Sequence, residues 1–433
     1  MLLIYTASLS PRLKYIFDLI FNELLGVKYK FTASKEEFTA YAGAKLNYSD
    51  HAFGNELFFY ASKFLFEKGI EDQNLSVFDW NGTKAFFATH PKYVFPFDPF
   101  AASFYLVSRY EEYLPHIRDE HDRYDTRESL AYQKNFLDKP LVNIWALKIK
   151  EELQKRFPGL LFAQKKYKYI STIDIDNAYA FLEKGIMRTA GGYARALVNM
   201  DFEDITLRTK VLLGVEVDPY DTFNYQLEIQ KKHKFKTIYF MLLGEYGVND
   251  KNVPPDSKKL RSLIKSLADY SEVGIHPSYG SNKNKNNFKK EVNVLNKILK
   301  RDVTKSRQHF LILKLPSTYR NLIDLDIKED YTMGYALQVG FRASICSQFY
   351  FYDLDMEQTT PLLIHPFAVM DATLKYYMKV QPEEAMNYIK PLIEEVKAVN
   401  GTFISLWHNE SLSENKLWAG WKTVYEQMAE MAS

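Results

Sequence analysis

A single cysteine, Cys346, stands in 433 residues. One thiol excludes an intrachain disulfide and a cysteine-built zinc ribbon, and it fits a buried, inert side chain. Long apolar runs are missing too: no stretch approaches the ~18 consecutive residues that a membrane span needs. Nor does one sign of charge dominate. Lys and Arg number 56 against 54 Asp and Glu, a net +2, so nothing calls for a nucleic-acid footprint. The one basic run, Ser281-Asn-Lys-Asn-Lys-Asn-Asn287, reads as a solvated loop. The opening Met1-Leu-Leu-Ile-Tyr-Thr-Ala7 is apolar but short and lacks a basic flank. It reads as a strand rather than a signal peptide, and the expected location is therefore cytoplasmic.

The length makes two domains the natural division. Apolar residues at 46% and charged residues at 25% match a globular chain, with a core large enough to need no covalent staple. Aromatics reach 15%, which suits packing and is compatible with stacking on sugar rings. Leu2–Tyr5 reads as a strand, followed by a helix with Ser10 as N-cap and Pro11 at its first position, closed by Gly26. The spacing predicts a further helix over 55–66 and a hairpin turning at Asn81-Gly82. It predicts helices over 101–114 and 140–157 as well. His116 and His121 lie in the dense charged stretch 118–125 and its approach; a salt-bridged loop and a metal site both fit there. The boundary falls near Pro158-Gly159, giving a smaller α/β or α+β domain over 1–160 and a second domain over 161–433.

From Lys166 the pattern alternates between strands and helices. Strand candidates lie at 168–174, 235–242, 272–276, 307–311, 339–345, 362–365 and 402–408. Helices fit between several of them, one capped by Asp256 and one opened by Pro382. Such alternation argues for a parallel sheet. A barrel and an open doubly wound sheet both accommodate it. The polar residues fall where a β/α barrel keeps its active site, at the C-terminal ends of strands. Asp174 and Asp176 share one strand face, because side chains two apart point the same way. A polar turn closing the strand would use the same residues. His276, His365 and His408 end later candidates, Arg307 and His309 share a face of the fourth, and Arg342 lies on the fifth.

These residues resemble the polysaccharide deacetylases with a NodB-homology domain, carbohydrate esterase family four, over about 166 to the C-terminus. Thr172-Ile-Asp-Ile-Asp176 resembles the family's strand-end Asp pair. His276-Pro-Ser-Tyr-Gly-Ser281 resembles its His-Ser/Thr-x-x-x-His motif, with the second histidine absent. Arg307-Gln-His-Phe310 resembles Arg-x-Pro-Tyr/Phe, with His309 in place of proline, and Leu406-Trp-His408 resembles the final apolar-plus-histidine motif. The resemblance implies a distorted (β/α)7 barrel holding one divalent metal, usually Zn2+, and hydrolysis of acetyl groups on an acetylated carbohydrate. It implies Asp174 as general base, Arg307 as its orienter and His408 as the acid toward the leaving group. Asp176 and His276 would be metal ligands, with His309 or His365 as the third. Tyr279 would stand near the mouth as a stacking surface. The alternative is a barrel that has lost its chemistry and serves as a carbohydrate-binding module.

Overall fold

The computed structural model describes residues 1–433. The opening strand, β1 (Leu2–Tyr5), leads into a helix whose start is fixed by Ser10: its hydroxyl accepts the Leu13 N–H at 3.0 Å, and Pro11 follows at the first helical position. That helix widens into a π-helix over Asp18–Leu24 and ends at Gly26. Gly26 has φ +63, and a Cβ there would meet Ala163 at 2.3 Å, so both backbone sign and space require glycine. The strands β2 (Tyr29–Thr32), β3 (Lys45–Ser49) and β4 (Leu57–Tyr60) complete a parallel sheet in the order β2-β1-β3-β4.

β4 corrects the helix expected over 55–66. Leu57-Phe-Phe-Tyr60 is a β-prone aromatic run that finds β3 as a partner, and only Lys63–Phe66 turns, as a 3-10 helix. The hairpin stands where Asn81-Gly82 put it: β5 (Phe78–Trp80) pairs with β6 (Thr83–Ala85), and both turn residues take positive φ, 47 and 73. The helix expected over 101–114 stops earlier, at Pro99–Val107. Arg109 adopts φ +54 there and turns its guanidinium into the interior. Leu141–Arg156 forms the long helix that follows.

The second sheet has nine strands: β7 (Lys168–Ile175), β8 (Lys236–Leu242), β9 (Glu272–His276), β10 (Lys305–Ser306), β11 (Glu329–Asp330), β12 (Phe349–Asp353), β13 (Gln358–Ile364), β14 (Val369–Met370) and β15 (Thr402–His408). Their order is β12-β13-β11-β10-β9-β8-β7-β15-β14, parallel except for the β12–β13 pair. From β7 to β11 the strands thus follow one another in chain order, and β15 returns to pair with β7. Two strand expectations are corrected. The fourth strand is Lys305–Ser306, so Arg307 and His309 stand just beyond it rather than within it. The fifth is Glu329–Asp330; residues 339–345 form turns instead, with the Phe341 N–H donating to the Leu137 carbonyl at 2.7 Å and Ser344 at φ +49. Ser257, one residue after the expected Asp256, caps its helix.

One apolar cluster of 95 buried residues runs from Leu2 to Ala432, so both sheets share a core. Buried ions tie them as well. Glu112 accepts Arg342 Nε and Nη2 at 2.9 and 2.7 Å, and Arg109 Nε at 2.7 Å. Burial alone would raise the Glu112 carboxyl, but Arg342 and Arg109 hold it down to about 2. Arg342 therefore belongs to this junction and not to the strand-end site. Glu112→Ala would leave Arg342 without its carboxylate in the interior and Arg109 with Glu111 alone. The expected loss is about 3–5 kcal/mol, read from urea unfolding; a loss below about 1 kcal/mol would show that the arginines are satisfied elsewhere.

Candidate active site

Strand register assembles the site. Asp174 is the seventh residue of β7, and in the parallel pair with β15 it lies directly beside His408. Asp176 follows the strand end on the same face as Asp174. His276 is the last residue of β9, two strands away through β8. Arg307 and His309 leave the end of β10, with the Arg307 N–H still bound to the Ile275 carbonyl at 3.1 Å. Asp174, Asp176, His276, His309 and His408 line one cavity of about 370 Å³.

Asp174 is buried, and Arg307 Nη1 donates to its Oδ1 at 3.0 Å. Arg307 is itself fixed: its Nε donates to the Tyr331 carbonyl at 3.0 Å and its guanidinium lies over the Phe240 ring at 4.8 Å. This geometry pairs the Asp174 carboxylate with the guanidinium and aims it. His276 Nδ1 lies 2.6 Å from the Arg307 carbonyl, which only accepts, so Nδ1 carries the proton and Nε2 faces Asp176 Oδ1 at 3.2 Å. His309 is oriented in the same manner: Nδ1 meets Asp250 Oδ1 at 2.9 Å, and Nε2 faces Asp176 Oδ2 at 3.4 Å. Asp250 is in turn held by the Tyr279 and Gly280 N–H groups at 2.9 and 3.3 Å.

Asp176, His276 and His309 offer ligand atoms that all lie within 4.8 Å of one another. Asp176 Oδ1 is buried and has no hydrogen-bond partner. A carboxylate and two imidazoles, each imidazole backed through Nδ1, are a donor set that fits a divalent cation with positions left open. Burial opposes the charge on Asp176, yet His309, His276 and His408 outweigh it and hold the carboxyl well below the usual range. Burial likewise pushes His309 down, while Asp176 and Asp250 prevail and raise it to about 9. Ser281, where the motif's second histidine would stand, is buried and donates to Glu291 at 2.6 Å. The third candidate ligand comes from beyond the next strand instead. His365 is elsewhere: it stacks on Tyr331 at 4.3 Å with its Nε2 3.0 Å from Glu329.

His408 Nδ1 pairs with Asp371 Oδ1 at 2.8 Å, and the His408 N–H donates to Asp371 Oδ2 at 2.9 Å. Burial lowers this imidazole, but Asp371 outweighs it and raises His408 well above its ordinary value. Its Nε2 lies 3.8 Å from Asp176 Oδ2. Phe310, Tyr376, Tyr377 and Trp418 give the cavity aromatic walls. Tyr279 is not one of them: it packs edge-on against Phe310 at 5.3 Å. Glu410 also lines the cavity, and burial pushes its carboxyl up to about 7 despite His408. His116 lies outside, its Nδ1 2.7 Å from the Leu114 carbonyl. Sequence reasoning missed Asp250, Asp371 and Glu410. Asp371 did carry a signal, an apolar run Phe367–Met370 ending in a carboxylate, but its strand has only two residues. Asp250 sits among Gly, Asn and Asp and reads as a turn.

Residues 2–158 match a family of unknown function, DUF7033, which is less than half of the chain. No curated protein matches the sequence. Several solved structures are similar. A putative polysaccharide deacetylase from Mycobacterium smegmatis is 11% identical, with 63% of this chain and 85% of that one covered and a TM-score of 0.40. A polysaccharide deacetylase from Bacillus cereus is 12% identical, covering 61% and 89%, with a TM-score of 0.27. A CE4-family pseudoenzyme from Bacillus anthracis is 13% identical, covering 61% and 61%, with a TM-score of 0.28. With TM-scores no higher than 0.40, these likenesses carry no argument about chemistry. The pocket's own geometry does.

The raised His309 gives a pH test. Its Nε2 must lose a proton before it can bind a cation. Zinc affinity, measured by chelator competition, is therefore expected to rise about tenfold per pH unit through neutrality and to flatten toward about pH 9. Affinity independent of pH below neutrality would remove His309 from the ligand set.

Proposed function

We propose that the chain is a metal-dependent hydrolase that removes acetyl groups from an N- or O-acetylated carbohydrate. One observation carries this reading: a carboxylate and an imidazole, each locked by its own buried partner, flank a three-residue cation site. Asp174 Oδ2 lies 3.6 Å from His276 Nε2, and His408 Nε2 lies 3.8 Å from Asp176. The motifs in chain order and the aromatic walls support a carbohydrate as substrate. We further propose the division into domains 1–160 and 161–433, with the second closing its sheet as a distorted (β/α)7 barrel.

Asp176, His276 and His309 would hold the divalent cation, zinc being suited to this mixed N/O set. Bound there, the cation supplies Lewis-acid polarisation of the acetyl carbonyl and makes a water more acidic. Asp174, held in place by Arg307, accepts the proton of the attacking water as its oxygen bonds to the carbonyl carbon. His408, kept protonated by Asp371, donates from Nε2 to the leaving nitrogen or oxygen as its bond to carbon breaks. Acetate and the deacetylated sugar are released, and the proton left on Asp174 restores His408 through solvent. Phe310, Tyr376, Tyr377 and Trp418 shape the apolar side of the cavity.

Asp174→Asn keeps the shape and removes the base. Turnover on acetylated sugars is expected to fall about 10²–10⁴-fold while zinc content stays that of the wild type. Turnover within about tenfold of wild type would remove Asp174 from its role. Wild type that binds a glycan but never turns it over would leave a carbohydrate-binding module standing instead.

A further inference from the structure

The charged loop 118–125, where a salt-bridged loop and a metal site both fitted the sequence, reaches the candidate site through Arg123. Arg123 is only 5% exposed and lines the same cavity as His309. A tight turn presents it. The Asp119 carboxylate accepts the N–H groups of His121 and Arg123 at 2.9 and 3.0 Å and pairs with Arg123 Nε at 2.7 Å. From that turn the guanidinium donates through Nη1 to the Phe310 carbonyl at 2.9 Å and through Nη2 to the Tyr377 hydroxyl at 3.3 Å. The His121 ring packs edge-on against Phe310 at 4.7 Å, and Asp122 pairs with Lys314 on the same crossing.

What Arg123 grips is strained. Phe310 and Leu311 have φ 58 and 55, two successive left-handed residues, neither of them glycine. Such a backbone persists only where its surroundings over-determine it. It directly follows His309, so any relaxation of the turn would carry that imidazole with it. Asp250 fixes the ring at Nδ1, but it does not hold the backbone beyond.

We infer that Arg123 is a positioning residue: through the Phe310 carbonyl it locks the strained turn that presents His309, so the first 160 residues complete the cation site. The inference rests on the hydrolase reading for its purpose and on geometry for its substance. It makes the N-terminal region part of the site rather than an appendage. It also accounts for a buried arginine on a loop otherwise rich in exposed charge.

The test uses the full chain. Zinc affinity, by competition with a chromophoric chelator, is expected to fall about 10–100-fold in Arg123→Ala, with part of the loss recovered in Arg123→Lys. In zinc-free protein labelled with nitrogen-15 at histidine, the His309 resonances are expected to shift in Arg123→Ala while those of the distant His365 stay. Zinc affinity within about twofold of wild type, or unchanged His309 resonances, overturns the inference. So does a variant that loses only thermal stability. Should Arg123→Ala fail to fold, Arg123→Lys decides by the same two readouts with a smaller expected loss. A wild type that takes up no zinc defeats the hydrolase reading alone, and the zinc-free spectra still decide whether Arg123 positions His309.

Discussion

Asp174 and Asp176 leave one strand end two residues apart, on one face, the first buried and the second half-buried. Carboxylates so placed raise each other's cost of ionisation unless positive groups close around them. The surrounding site is the answer to that demand. Arg307 compensates Asp174 from the end of β10, while His309 from that same end, His276 from β9 and His408 from β15 converge on Asp176. Each of those side chains is held by a further group: Tyr331 for Arg307, the Arg307 carbonyl for His276, Asp250 for His309, Asp371 for His408. Without the two carboxylates, Arg307 would lose the carboxylate it pairs with, and His309 and His408 would keep only Asp250 and Asp371.

The parallel sheet makes the convergence possible. Because β7, β8, β9, β10 and β15 run the same way, their C-terminal ends meet at one rim. Polar residues that are unwelcome inside a sheet then gather where the loops begin. The same rim separates roles. A carboxylate bound to an arginine and an imidazole bound to a carboxylate sit on either flank of the proposed ligand set, and in the proposed reaction one would take a proton and the other give it.

Much of this rim was legible in sequence, because strands such as Lys168–Ile175 and Thr402–His408 are long, β-branched and aromatic, and end in ionisable residues. The paired spacing of Asp174 and Asp176 fixed their common face without any tertiary knowledge. Short strands were not legible. Lys305–Ser306 and Glu329–Asp330 are defined by their neighbours' hydrogen bonds, not by a periodic pattern of their own, so the stretches at 307–311 and 339–345 drew the reading away from them. Asp250 and Arg123 reach the cavity from loops, where sequence distance carries no geometric information, and Asp371 follows a strand of only two residues. Leu57–Tyr60 was misread for a related reason: four aromatic and aliphatic residues in a row suit helix or strand, and only pairing with β3 decides.

The central claim is that Asp176, His276 and His309 form one cation site despite the absent second histidine of the motif. Its most direct measurement is the zinc content of the purified full chain and of His309→Ala after dialysis against zinc. About one ion per chain in the wild type, with nearly none in the variant, is the result expected. Equal zinc in both would show that His309 is not a ligand, and none in the wild type would contradict the cation site itself.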